Sequence, residues 1–404
     1  MLKSIRIKNS RSFEDATIRL DAPVIAMIGK NGVGKTSLLH SIQLAAELCI
    51  GAQEPISGLH PRSSDEPVTF ELEFRVGDSV YSYATTRREN SAAPSDLAES
   101  LTRDGQPVFE RRGERVTTQI PKMESMNLGI GASTLASLLT LLPGDSSERN
   151  ELNSVASYLK EVQYYPLTQG FHEHLERPVQ GAAEVVRSSS SFIEFATYDR
   201  WKAGLSLGRV PRSVQMRLLH MSLSDPESFA ELKDLVGDER GIGLISDIRI
   251  ETIISSSSNP KAKVSNRGTD TFRIWFKPGI EMAGAGTEFT YSDLSAGTWR
   301  VLELFTYLVF DKNSCMLLEQ PEDSIHPGLL EKVMGVLEAY SDRTQLICTT
   351  HSPKVISLLQ PESLRFVVAE KGISTVRAMT EREVQVAAEY LEEKGTLGEF
   401  VEML

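Results

Sequence analysis

Residues 29–36 read Gly-Lys-Asn-Gly-Val-Gly-Lys-Thr, directly after the apolar run Val24 to Ile28 and directly before a stretch whose apolar residues recur every three or four positions. Few eight-residue segments constrain a fold as tightly. The preceding run has strand length, and Leu38, Leu39, Ile42, Ala45, Ala46 and Cys49 mark one buried face of a helix that Gly51 ends. Strand, glycine loop and helix in this order form a phosphate cradle. Gly29, Gly32 and Gly34 let the backbone turn so that its N–H groups face phosphate oxygens, with Asn31 in the same loop. Lys35 brings positive charge to the β and γ phosphates. Thr36, or alternatively Ser37, offers the hydroxyl that ligates Mg²⁺, and the helix N-terminus adds its dipole. ATP and Mg²⁺ are therefore the expected ligands.

At 404 residues the chain is long enough for two or three units with real cores. No apolar run approaches the ~18 to 20 residues needed to cross a bilayer, and the N-terminus lacks the apolar block of a secretion signal. A cytoplasmic protein without membrane partners is expected. A net charge of −12 argues against DNA binding over the whole surface and leaves room for a local basic groove. Cys49, Cys315 and Cys348 stand far apart in apolar surroundings and read as core filling.

The opening alternates in the manner of edge strands, residues 51–67 read as loop, and 68–76 with 80–83 form a hairpin turning at Gly77-Asp78. Residues 86–120 are expected as loops with short strands. From 124 to 245 the pattern favours helices, read as an arm inserted between an N-terminal part of the fold, 1–123, and a C-terminal part, 246–404. Strands return at 247–254 and 271–276, with a Ser-rich turn at 255–258. The last third alternates apolar strands with helices, which implies a largely parallel sheet covered on both faces.

A second acidic element should face the phosphates. Cys315-Met-Leu-Leu-Glu319-Gln320-Pro-Glu322-Asp323 is a buried strand ending in carboxylates, and a carboxylate at a strand's carboxyl end faces the crevice where ligands sit. Glu319 is expected at the magnesium, directly or through a water. Position 320 is where a general base would prepare the attacking water, yet glutamine can only orient it. Thr349-Thr350-His351-Ser352-Pro353 follows another apolar strand, and a histidine there can donate to the γ phosphate or the water. His326-Pro327 opens the next helix. His172, His174 and Glu176 lie close in sequence but match no zinc motif, and Arg111, Arg112 and Arg115 form a basic cluster read as a solvated loop rather than a nucleic-acid contact.

The segment Ser292-Asp-Leu-Ser-Ala-Gly-Thr-Trp-Arg300 resembles the signature segment of ABC-type ATPases of the structural-maintenance (SMC), RecF and OLD-like branch, which carry Leu-Ser-x-Gly-Thr in place of the transporters' Leu-Ser-Gly-Gly-Gln. Phosphate loop, signature, acidic strand and histidine occur in that family's order, and the resemblance covers about residues 1–85 and 285–375. It implies an α/β fold: an ABC-type P-loop ATPase head with a mixed or parallel core sheet and a mainly helical insertion. It also implies a homo-oligomer in which two heads sandwich ATP, with Ser295 and the backbone near Ala296 and Gly297 completing the γ-phosphate site of the opposite subunit, and Ser292 and Asp293 helping to cap the signature helix. Glu319, Gln320 and His351 would form the catalytic set. Departures matter too: there is no long coiled coil, no Cys-x-x-Cys hook, and no nuclease domain after residue 380 is expected. The family's glutamine loop falls to Gln119 or Gln163. Gln320 is either the native residue of a slow ATPase or a Glu-to-Gln exchange that traps ATP; both imply tight Mg-ATP binding and slow turnover. The expected role is an ATPase that senses or regulates a separate nuclease or toxin in anti-phage defence, with a RecF-like DNA-repair ATPase as the alternative.

Overall fold

The structure is a computed structural model that describes residues 1–51, 60–64, 66–88, 97–121, 123–129, 131–166, 192–206, 213–237, 241–253, 271–279, 288–392 and 395–403. The chain divides into two compact units. The first comprises Met1–Pro166, Asn313–Glu322 and Leu337–Leu404, the second Leu167–Lys312 and Asp323–Val336. Within the stretch 124–245, the helices Thr134–Leu141 and Ser147–Lys160 and the strand Val162–Tyr165 thus lie in the first unit.

The first unit contains a six-stranded mixed sheet. Its order is Val162–Tyr165, Cys315–Glu319, Gln345–Thr350, Val24–Ile28, Leu364–Glu370 and Ile373–Ala378, every neighbouring pair parallel except the last. The central strands are buried along nearly their whole length, as strands covered on both faces must be, which is why their sequences are continuous apolar runs without alternation.

An eight-stranded antiparallel sheet accompanies it. Phe13–Arg19, Leu2–Ser10, Val68–Val76, Ser79–Arg87, Ala98–Arg103, Gln106–Arg112, Arg115–Thr118 and Ser125–Asn127 follow one another across it. Here alternation is clear: Ile5, Ile7, Phe70, Leu72, Phe74, Tyr83, Leu101, Phe109 and Val116 are buried while their neighbours are not. Two expectations need correction. Residues 2–10 do not form an edge, because 13–19 flank them on one side and 68–76 on the other. The second is the share of loop in 86–120: among the described residues the short strands Ala98–Arg103, Gln106–Arg112 and Arg115–Thr118 continue this sheet, with Leu101, Phe109 and Val116 turned inward.

The helix Lys35–Ile50 buries Leu38, Leu39, Ile42, Ala45, Ala46 and Cys49 in one core with inward residues of both sheets. Gln345 ties the sheets directly. Its buried amide accepts from Leu2 N and donates to the carbonyls of Leu2, Leu20 and Ala22 at 2.6–3.0 Å. All three cysteines are buried.

The second unit has the antiparallel strands Phe192–Glu194, Thr271–Pro278 and Ile245–Ile253, in that order, and the helices Phe195–Ser206, Val214–Ser224, Pro226–Val236 and Ala296–Phe310. Arg217 holds Asp311 through two bonds of 2.8 and 3.0 Å, both side chains largely out of water. The expected Ser-rich turn at 255–258, and His172, His174 and Glu176, lie outside the described residues. Among the described residues no helix is long and apolar enough to cross a membrane.

Candidate nucleotide-binding site

Sheet register assembles the site. Glu319 pairs with Thr349, Thr349 with Met27 and Thr350 with Ile28, so the acidic strand, the strand before His351 and the strand before the glycine loop end level with one another. Because all three run parallel, their carboxyl ends share one edge. Lys35, Thr36, Glu319, Gln320 and His351, drawn from three remote segments, are brought together there.

The loop itself needs glycine for two reasons. Gly29, Gly32 and Gly34 have φ of 152°, 79° and 105°, and a Cβ on Gly29 would sit 2.2 Å from the Val367 carbonyl oxygen. The loop's outer side is held by Ser374, whose hydroxyl donates to Val33 O at 2.6 Å and whose N–H donates to Ser12 O at 2.8 Å. Asn31 and Gly32 are exposed and Ser37 half-buried in the first helical turn.

The Lys35 ammonium is buried and donates to the carbonyls of Gly29 and Lys30 at 2.6 and 2.9 Å. Burial pushes its pKa below the ordinary 10.5, and the charges of Glu322 and Glu319 oppose that shift. The Thr36 hydroxyl donates to Glu319 Oε1 at 2.5 Å, and the Tyr164 hydroxyl donates to Glu319 Oε2. A hydroxyl and a carboxylate converging at one point are hard oxygen donors of the kind Mg²⁺ takes, and the pair fits that ion. Beyond them, Gln320 Nε2 lies 2.8 Å from His351 Nδ1. Gln320 takes a left-handed φ of 44°. Its N–H is shared between the carbonyl and hydroxyl oxygens of Thr349, at 3.1 and 3.2 Å. Glu322 Oε1 accepts from the Thr350 hydroxyl at 2.5 Å and from His351 N at 3.4 Å, which fixes the backbone beneath the histidine.

Ser295 and Gly297 belong to the second unit. Ser295 caps the helix Ala296–Phe310, its hydroxyl accepting from Thr298 N at 3.2 Å. A Cβ on Gly297 would meet the Ser324 carbonyl oxygen at 2.5 Å, so glycine there lets the helix approach the segment that follows the acidic strand. The expected capping by Ser292 and Asp293 is corrected: Asp293 Oδ2 accepts from Thr290 N and Thr290 Oγ1 and closes the short turn Tyr291–Asp293 instead. His326 precedes the helix Pro327–Tyr340, its Nδ1 accepting from Gly328 N at 3.1 Å. Gln163 lies in the strand Val162–Tyr165 and donates to Lys160 O, and Gln119 follows the strand Arg115–Thr118.

The arginine cluster is not a solvated loop. Arg111 is fully buried, donating to the carbonyls of Gly113, Ala132, Leu128 and Gly129 beside Glu99, while Arg112 and Arg115 face outward. Reading the sequence also missed Tyr164, Glu322, Thr350 and Ser374. No sequence signal singled out Tyr164, whose strand becomes a neighbour of the acidic one only through the sheet pairing.

The family described as "AAA domain, putative AbiEii toxin, Type IV TA system" matches residues 171–357, and a family described as "AAA domain" matches residues 4–160. Two curated relatives are DNA replication and repair proteins RecF. The one from Synechococcus sp. is 27% identical over 208 residues, covering 51% of this chain and 49% of that protein. The one from Nostoc punctiforme is 24% identical over 204 residues, covering 49% of each. The chain thus spans about half the length of the curated relatives it matches. In fold it is similar to a crystal structure of the SMC head bound to the C-terminal winged-helix domain of ScpA, with a TM-score of 0.52 and 12% identity over 95% of this chain and 99% of that one. The chain is thus similar to AAA domains in each of its two halves and distantly to RecF proteins, and it shares the α/β fold of an SMC head. ATP and Mg²⁺ use goes with that class.

Proposed function

We propose that this protein is a slow ATPase whose heads pair around Mg-ATP and so regulate a separate effector, a nuclease or toxin in anti-phage defence. The observation that carries the reading is the convergence of Lys35, Thr36, Glu319, Gln320 and His351 at one sheet edge, with an amide where a general base would serve. Lys35 would leave its own loop carbonyls for the phosphates. Thr36 and Glu319 would hold Mg²⁺, which supplies charge neutralisation at the phosphates. Gln320 and His351 would orient the attacking water without removing its proton, hence slow turnover and a long-lived ATP state. Ser295 and Gly297 would serve the opposite head. The family match at 171–357, whose description names a toxin system, supports the defence setting. The similar SMC head binds a domain of another protein, ScpA, and that likeness supports a distinct protein partner here.

Native mass with and without Mg-ATP, for the wild type and for Lys35→Ala and Ser295→Arg, tests the pairing. ATP should double the mass of the wild type and of neither variant; a mass indifferent to ATP would remove the sandwich from the proposal. The RecF relatives favour a second reading, a repair ATPase that loads partners onto DNA. A DNA complex that weakens steeply with salt would select it, and co-purification with a nuclease or toxin would select defence.

A further inference from the structure

Tyr164 occupies a place that no reading of the motifs assigns. It lies on the strand Val162–Tyr165, opposite Leu317 of the acidic strand, and is buried. Its hydroxyl donates to Glu319 Oε2 while the Thr36 hydroxyl occupies Oε1, so both oxygens of the carboxylate are claimed from opposite sides. The ring is in turn fixed by His40, their centroids 4.5 Å apart and their planes tilted by 51°. His40 sits on the helix that begins with Lys35, so the phenol is braced by the same helix that carries Thr36.

A carboxylate held at one oxygen swings about its Cγ–Cδ bond, whereas one held at both keeps its plane. A hydroxyl would bind Mg²⁺ through an oxygen lone pair and keep its proton, so Thr36 could still donate to Oε1 while Tyr164 holds the other oxygen. We propose that Tyr164 is a positioning residue for the metal site: its hydroxyl holds the Glu319 carboxylate in the plane in which it and Thr36 accept Mg²⁺. This rests on the assignment of Glu319 to magnesium made above. Partners that orient a ligand from behind commonly contribute 10- to 100-fold in metal affinity.

The test measures binding of a fluorescent ATP analogue against Mg²⁺ concentration, with no turnover required, in the full chain and in Tyr164→Phe, Glu319→Gln and a chain carrying 4-aminophenylalanine at 164. Phenylalanine keeps the ring on His40 and removes only the donor; the aminophenyl ring returns an N–H donor. Tyr164→Phe should raise the Mg²⁺ concentration at half effect by about 10- to 100-fold, leave binding in excess chelator unchanged, and be rescued by the aminophenyl ring. A weakened Mg²⁺ response in Glu319→Gln with an unchanged one in Tyr164→Phe would overturn the role of Tyr164 alone. If neither substitution moves the response, Glu319 is not at the metal and the underlying assignment fails as well. Should Tyr164→Phe not fold, His40→Ala decides, because it frees the ring that places the hydroxyl: a weakened Mg²⁺ response is expected, and an unchanged one would overturn the positioning role.

Discussion

Nε2 of Gln320 and Nδ1 of His351 stand 2.8 Å apart, joining the ends of two strands of the parallel sheet through an amide and an imidazole. With the amide nitrogen facing Nδ1, that ring nitrogen accepts, and the imidazole proton lies on Nε2, the outward nitrogen. The histidine thereby keeps a donor for a phosphate or a water. What position 320 lacks is a proton acceptor.

Gln320→Glu supplies one. The carboxylate can accept the proton that the amide cannot, so phosphate release should rise ~10²- to 10⁴-fold while nucleotide affinity changes little. Single-turnover phosphate release on preformed Mg-ATP complex measures this directly. Unchanged release would mean that residue 320 does not face the attacking water.

Lys35 makes nucleotide binding pH-dependent. Burial lowers its pKa, so between that lowered value and 10.5 the folded protein without nucleotide holds fewer protons than the unfolded chain. Phosphate at the loop would restore the charge, and binding should take up a proton once the pH rises above the lowered pKa toward 10.5. Calorimetry in two buffers of different ionisation enthalpy counts it. Lys35→Met should bind without uptake, if it binds at all.

Arg111 tests whether the basic cluster is structural. Its side chain is fully buried 3.7 Å from Glu99 and donates to four carbonyls, so removing it strips those carbonyls of a donor and leaves Glu99 with Arg87, at 2.7 Å, as its remaining cation. Arg111→Met should cost about 3–5 kcal/mol of stability in denaturant unfolding. Arg112→Ala, on the exposed side of the same strand, should change it by less than about 0.5 kcal/mol.

The cysteines report on opening. Burial pushes the Cys315 and Cys348 thiols up to about 12 and raises Cys49 well above the ordinary 9.0. A thiol reagent near neutral pH should label none of the three until the protein unfolds. The sign of the linkage follows: these thiols ionise near 9 when unfolded and not when folded, so stability should fall as the pH rises from about 9 toward 12. Labelling at rates matching global unfolding would confirm it; fast labelling of one cysteine would locate a local opening.

Glu319, Gln320, His351 and the glycine loop were legible in the sequence because each ends an apolar run of strand length, and parallel strands carry their chemistry at one end. The eight-stranded sheet was less so. Among residues 97–118 the buried face includes the charged residues Glu99 and Arg111 beside Leu101 and Phe109. Glu99 and Arg111 are mutually paired, which a hydrophobicity pattern reads as loop. Tyr164 was hidden for another reason: on an apolar strand a tyrosine looks like packing, and only register reveals that its hydroxyl meets Glu319. Ser374 lies 341 residues from its partner Val33, and no local pattern could join them.

That last contact bears on how the protein is made. The strand before the phosphate loop finds both of its sheet neighbours, 345–350 and 364–370, only in the last quarter of the chain, and Ser374 supports the loop from later still. The strand before residues 29–36 therefore has neither of its sheet neighbours until residues 345–350 have been made. Nascent chains arrested before residue 345 should retain no ATP, and retention should begin only once the strand bearing Ser374 has left the exit tunnel. A fragment that stops short of residue 345 would then hold no nucleotide, and a degraded chain would lose its ligand as soon as those late strands are cut away.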